Sequence, residues 1–301
     1  MRSARSTIAA AVALFFGLLG SLPASGQSPN PVHGLWVWKT ASVLDEPHAA
    51  EAIRDFCRSE QINEVYVSFP HAGKAADPAR LEGRLAGLIR ELHRVNIRTE
   101  ALLSSTDADE PGEHRDKLLG HVREVIQFNG EHPDARFDGI HLDIEPQQRP
   151  ENKGAGNLNF LPNLVDAFRE VRRMAAPQGL TVNADIPNKL LKGDLEQRRM
   201  LLSSLDRFTL MLYELSSPSD GEVGQQHEDK LRAESQKFLE MAYAGLGENG
   251  FARMAVGLRT PDYADQTSHM LHLLDDWLRS DPRYLGWAWH SYNDHGGSVG
   301  N

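Results

Sequence analysis

The chain has a single cysteine, Cys57, among 301 residues, so no internal disulfide can staple the fold. Cys57 lies in the helical pattern AAEAIRDFCRSE and reads as a small buried apolar residue, not as a thiol nucleophile. Low-complexity tracts and sustained heptads are absent, which excludes a disordered or coiled-coil protein. No glycine-rich fingerprint follows the first strand-like segment, GLWVWKTASVLDE, so nothing there would cradle a dinucleotide. A Gly-x-Ser-x-Gly elbow is also missing, which removes the serine-hydrolase reading. Basic residues are in deficit: 32 Lys and Arg against 42 Asp and Glu leave a formal charge of −10. Such a surface repels nucleic acid and anionic membranes.

Long apolar runs are nearly absent too, and the one exception is at the N-terminus. Arg2 and Arg5 precede IAAAVALFFGLLG, which is followed by SLPASG. This is the layout of a secretory signal peptide, with cleavage expected after Gly26, where Ala24 and Gly26 meet the small-x-small preference. The run of about 13 residues is shorter than the roughly 20 that span a bilayer, and no cysteine follows it to carry a lipid. The expectation is a secreted or periplasmic protein without stable membrane insertion, residues 27–301 forming one domain. Losing the signal removes two arginines and no acid, so the acidic excess rises from 10 to 12.

The mature part consists of short β-branched or aromatic runs alternating with amphipathic segments. Strands are predicted at 34–40, 62–69, 97–104, 137–145, 179–187, 207–214, 253–260 and 284–292. Seven segments between them repeat apolar residues at spacings of three and four, as in LEGRLAGLIRELHRV and LPNLVDAFREVRRM. Such alternation means parallel pairing through right-handed crossovers, and eight units at this length predict an α/β (β/α)8 barrel. The eighth helix is expected to be short or absent, since nine residues follow Tyr292. An open doubly wound sheet is the weaker alternative. In a barrel the function sits at the C-terminal strand ends. Two long polar loops, PQQRPENKGAGNLN and LSSPSDGEVGQQH, lie there.

The fourth strand segment, FDGIHLDIE, holds the chemistry. Ile140, Leu142 and Ile144 form an apolar face for the helices. His141, Asp143 and Glu145 then point into the barrel, successive pairs separated by roughly 6–7 Å. Three ionisable groups on one inward face cost too much desolvation to be ornamental. Two carboxyls in one desolvated pocket cannot both ionise freely, so Glu145 is expected to keep its proton and deliver it to a leaving group.

Asp138-Gly139-Ile140-His141-Leu142-Asp143-Ile144-Glu145 resembles the strand-4 signature of glycoside hydrolase family 18, the chitinase-like enzymes. The resemblance implies a carbohydrate substrate, Glu145 as general acid, and Asp143 orienting the substrate's acetamido group in substrate-assisted catalysis. His141 stands where that family usually has an aspartate, and Ile144 where it often has an aromatic residue. Met211-Leu212-Tyr213-Glu214 is similar to the family's Met-x-Tyr-acid motif, whose tyrosine helps to hold the reacting sugar. Trp287 and Trp289 lie on the strand where the family places a tryptophan beneath that sugar. The expected catalytic set is Glu145, Asp143 and Tyr213. The expected substrate-binding set is His141, Trp36, Trp38, Asp185, Glu214, Trp287 and Trp289, with His141 tuning Asp143 from below.

A paired-glutamate mechanism needs a second acid, which barrels of that class place on strand 7. Here that strand ends Val256-Gly257-Leu258-Arg259-Thr260. Asp185 and Glu214 keep a two-acid scheme open. No cofactor or metal is expected, although His141, Asp143 and Glu145, joined by His71 or His290, are competent ligands for a metal-dependent hydrolase. A carbohydrate-binding barrel without catalysis is the non-enzymatic alternative.

Overall fold

Eight strands pair in parallel, each with the next, and the last returns to the first. They are β1 (Val32–Val37), β2 (Glu64–Ser68), β3 (Arg98–Ser105), β4 (Gly139–Ile144), β5 (Thr181–Pro187), β6 (Arg207–Met211), β7 (Arg253–Arg259) and β8 (Tyr284–His290). The barrel is closed by the β1–β8 seam, where Val32 aligns with Gly286 and Leu35 with Trp289. This computed structural model describes residues 31–70, 77–154, 156–213, 224–247 and 250–294. The N-terminal apolar segment therefore lies outside the described residues.

The strands form where β-branched and aromatic residues cluster, each end within three residues of its sequence expectation. The single-turn α1 (Thr40–Val43) and α2 (Ala49–Ser59) follow β1. Then come α3 (Pro78–His93), α4 (Glu113–Glu131), α5 (Leu161–Ala175), α6 (Leu195–Ser203) and α7 (Gln225–Tyr243), one after each strand. The single-turn α8 (Thr260–Tyr263) and α9 (Thr267–Leu278) follow β7. Among the described residues, only a 3-10 turn, Tyr292–Asp294, follows β8. Local signals set the helix starts. Asp77 accepts from the Arg80 N–H at 3.0 Å with Pro78 at the first position. Asp194 and Gln197 form a reciprocal capping box at α6.

The main core lies between sheet and helices, where Leu35, Val65, Ile140, Leu142, Val182 and Leu210 are fully buried. The barrel interior is a second compartment, lined at mid-height by Trp36, Tyr66, Leu102 and Ala288. Two glycines make it possible. A Cβ on Gly139 would lie 2.9 Å from Glu100 Oε1 and 2.4 Å from Thr181 Oγ1, so any side chain would displace a buried carboxylate. Gly286 has φ +145°, and its Cβ would sit 2.0 Å from the Val32 carbonyl across the seam.

Candidate active site

Ile140, Leu142 and Ile144 pack under the helices, so His141, Asp143 and Glu145 rise up the inside of the barrel. Glu145 extends the ladder one step past β4, its N–H donating to the Ser105 carbonyl at 2.9 Å. Pro146 then starts a 3-10 turn, Pro146–Gln148, which bends the chain over the mouth. That turn holds the Glu145 side chain: Gln147 Nε2 donates to Oε1 at 2.9 Å, and Gln148 Nε2 donates to Oε2. Partial burial and the nearby Asp185 carboxylate raise the Glu145 pKa, outweighing the two amides, which favour the ionised form. Burial raises the Asp143 carboxyl further, well above the usual range, with Asp185 and Glu145 adding to the effect and His141 opposing it. Among the described residues, nothing donates to the buried Asp143 Oδ1. A carboxylate so placed would be undersolvated, so the protonated form prevails.

Below them, His141 is 1% exposed and uses both ring nitrogens. Nδ1 meets Glu100 Oε2 at 3.1 Å and Nε2 meets Asp185 Oδ1 at 2.9 Å. The ring stacks on Tyr66 with centroids 3.8 Å apart, and Trp36 presents its edge from 6.1 Å. Burial alone would lower the His141 pKa, but Asp185 and Glu100 outweigh it and raise it to about 10. The ring is therefore an imidazolium donating in both directions at neutral pH. Beneath it, Glu100 accepts from Asn183 and pairs with Arg207, which also meets Glu64 at 2.9 Å. Burial opposes ionisation of Glu100, yet Arg207 and His141 hold its pKa down at about 2. Glu64, Arg207, Glu100, His141 and Asp185 thus form a chain of alternating charge from the barrel floor to just below the mouth. Each buried charge has a partner of opposite sign.

The remaining expected site residues separate into three groups. Tyr213 comes to the mouth, its ring 5.6 Å from His290 and 5.2 Å from the Arg259 guanidinium. Burial, followed by the charges of Asp185, Asp143 and Glu145, holds its hydroxyl in the protonated form. Trp38 is also at the mouth, half-buried, with Nε1 donating to His290 Nε2 at 2.9 Å. Trp36 and Asp185, at 0% and 2% exposure, lie beneath the mouth and bond each other, Nε1 to Oδ2 at 3.0 Å. Trp287 and Trp289 correct the expectation of a tryptophan floor. They do share a face, but it faces the helices: Trp287 stacks on His33 at 4.2 Å, and Trp289 packs on Phe56 of α2 and donates to Thr260 Oγ1 at 2.7 Å. The inward positions of β8 are Gly286, Ala288 and His290, because the single-residue alternation runs the other way. His141 likewise has no free nitrogen to offer a substrate or a metal. Glu214 and His71 lie outside the described residues.

Sequence reasoning missed Glu64, Glu100, Arg207, Gln147 and Gln148, and it offered His290 only as a metal ligand. The signal for Glu100 was available: it is the one acid in its strand segment, two residues before the inward Leu102. The loops around the mouth are fastened to one another. Arg149 makes a bidentate pair with Asp109 at 2.9 and 3.0 Å, tying the β4 loop to the β3 loop. Lys189 Nζ donates to the Asn152 carbonyl at 2.8 Å, tying it to the β5 loop as well. Among the described residues, no group of three His, Cys, Asp or Glu side chains is arranged to hold a metal.

No protein-family model matches this sequence, and no curated protein matches it. Solved structures do match. A chitinase from Bacteroides thetaiotaomicron superposes with a TM-score of 0.56 at 14% identity, over 88% of this chain and 90% of that one. The PgaB (BpsB) glycoside hydrolase domain from Bordetella bronchiseptica gives 0.51 at 11% identity, over 89% and 96%. A Rhizomucor miehei β-1,3-glucanosyltransferase, an active-site mutant in complex with laminaritriose, gives 0.50 at 11%, over 86% of both chains. What they share is the barrel. At these identities the likeness is one of fold, and the (β/α)8 barrel hosts many chemistries, so the function has to be argued from the strand ends.

Proposed function

We propose that this protein is a secreted glycoside hydrolase in which Glu145 is the general acid. One observation carries the reading: Asp143 and Glu145 are stacked at the C-terminal end of β4, and both pKa values are raised by burial and by Asp185. Glu145 stands at the mouth with its pKa raised, on the strand end where barrels do their chemistry. The barrels it resembles in fold, described as chitinases and as a glycoside hydrolase domain, support the substrate class.

In the scheme, the Glu145 proton passes to the glycosidic oxygen as the bond from that oxygen to the anomeric carbon breaks. The oxygen of the sugar's own acetamido group forms the new bond to the anomeric carbon. Asp143 orients that acetamido group, and Tyr213 donates a hydrogen bond to the reacting sugar. The Glu145 carboxylate then takes a proton from the water that opens the cyclic intermediate, returning the enzyme to its starting state. An N-acetylated amino sugar is thus the first substrate to try. Trp38 and Tyr213 supply aromatic surface at the mouth for a pyranose ring.

The test is a screen of the mature protein against chitin oligosaccharides, β-1,3-glucan and other polysaccharides, measuring new reducing ends. New ends from an N-acetylated substrate support the reading; no cleavage and no binding across the panel refute it. The same preparation checks secretion, since the exported protein should begin at Gln27.

A further inference from the structure

Asp185 is the best-anchored acid near the mouth, and it is 2% exposed. Its Oδ1 faces the His141 imidazole at 2.9 Å, its Oδ2 accepts from the Trp36 indole at 3.0 Å, and His141 is fixed in turn by Glu100. The carboxylate can neither rotate nor be replaced by solvent without breaking both bonds. His141 aligns with Asn183 and Leu142 with Ala184 across β4 and β5, so Asp143, the next residue of β4, stands beside Asp185, the next of β5. We infer that Asp185 is a positioning residue for the two strand-4 acids: a negative charge clamped by His141 and Trp36 whose field governs when Asp143 and Glu145 release their protons. The inference rests on the reading of those acids as the groups that act on substrate. It also gives His141 a task that the sequence left open, since a histidine at this place in β4 brings the fixed carboxylate in from β5.

The charges around the pair are few. His141 and Glu145 belong to β4 and the stretch that follows it. Tyr213 follows β6, Arg259 ends β7 against the Tyr213 ring, and His290 ends β8. Of these, Asp185 and Glu145 are the carboxyls raising Asp143, and Asp185 is the one raising Glu145. Removing the Asp185 charge should lower both titrations, by on the order of one pH unit for a neighbouring like charge.

The experiment is carbon-13 NMR of the carboxyl groups in the mature protein and in Asp185→Asn, with Glu145 assigned through Glu145→Gln. The Glu145 midpoint should move down in Asp185→Asn; an unmoved midpoint overturns the proposal. If Asp185→Asn does not fold by circular dichroism, nitrogen-15 NMR of the wild-type histidines decides. Both His141 ring nitrogens should be protonated at pH 8, and a single protonated nitrogen would refute the clamp. Neither measurement needs turnover, so a failure of the glycosidase reading would be seen separately, as no cleavage by the wild type. Where cleavage is found, the alkaline limb of kcat/KM should shift down in Asp185→Asn while Glu145→Gln is inactive throughout.

Discussion

Folding favours the protonated forms of Asp143 and Glu145, whose pKa values burial raises. An acid whose folded pKa lies above its unfolded value loses stability as pH rises through the unfolded value, here the ordinary carboxylate range. Asp143→Asn should therefore raise the melting temperature at pH 7 by about 2–4 °C while lowering activity, a trade common at catalytic sites. A thermal melt beside a rate assay checks both signs; a lower melting temperature would show that the carboxyl is better satisfied than its geometry implies. His141 works in the other direction. Its folded pKa of about 10 exceeds the unfolded value near 6.5, so its contribution is full below the lower figure and is lost as pH climbs through the upper one. The wild-type melting temperature should fall towards pH 10, and His141→Gln, which leaves Glu100 and Asp185 without their shared partner, should cost about 3–5 kcal/mol at neutral pH. Denaturant titrations at pH 7 and pH 10 would show a mutational cost that shrinks at the higher pH.

Strands β3, β4 and β5 bring these residues together, and much of that was legible in the sequence. The alternation through Ile140, Leu142 and Ile144 told which side of β4 faces inward, because a buried face rejects a one-residue slip. On β8 the same pattern misled: Trp287, Trp289 and the intervening Ala288 are all apolar, and the one polar mark of the inward side is His290, the last residue of the strand. The partners of His141 were also hidden, since pairing Glu100, His141 and Asp185 needs the register across three strands, which no local pattern encodes. At the same scale, the loop after β4 holds Glu145 through Gln147 and Gln148 and is itself anchored by Arg149 to the buried Asp109. Arg149→Ala should lower kcat/KM by about tenfold or more by letting this turn drift. A change in KM alone would instead place Arg149 in substrate binding.

For the whole molecule, closure of the barrel is what makes the interior dry enough for its charge chain. The seam depends on Gly286, and Gly286→Ala should cost on the order of 2–4 kcal/mol, seen as a lower denaturation midpoint. The barrel order, eight parallel strands around one interior, followed from strand and helix alternation alone. The alternating chain from Glu64 to Asp185 did not, because its members come from β2, β3, β4, β5 and β6. That chain ends at the acids proposed to act on substrate, so the sharpest test is made there. Wild-type protein and Glu145→Gln should be compared on an N-acetylated chitin oligosaccharide, with melting temperatures recorded for both. Turnover by the wild type, at least 100-fold slower turnover by the variant and similar melting temperatures are the predicted result. Undiminished turnover by a folded Glu145→Gln would contradict the assignment of Glu145 as the general acid.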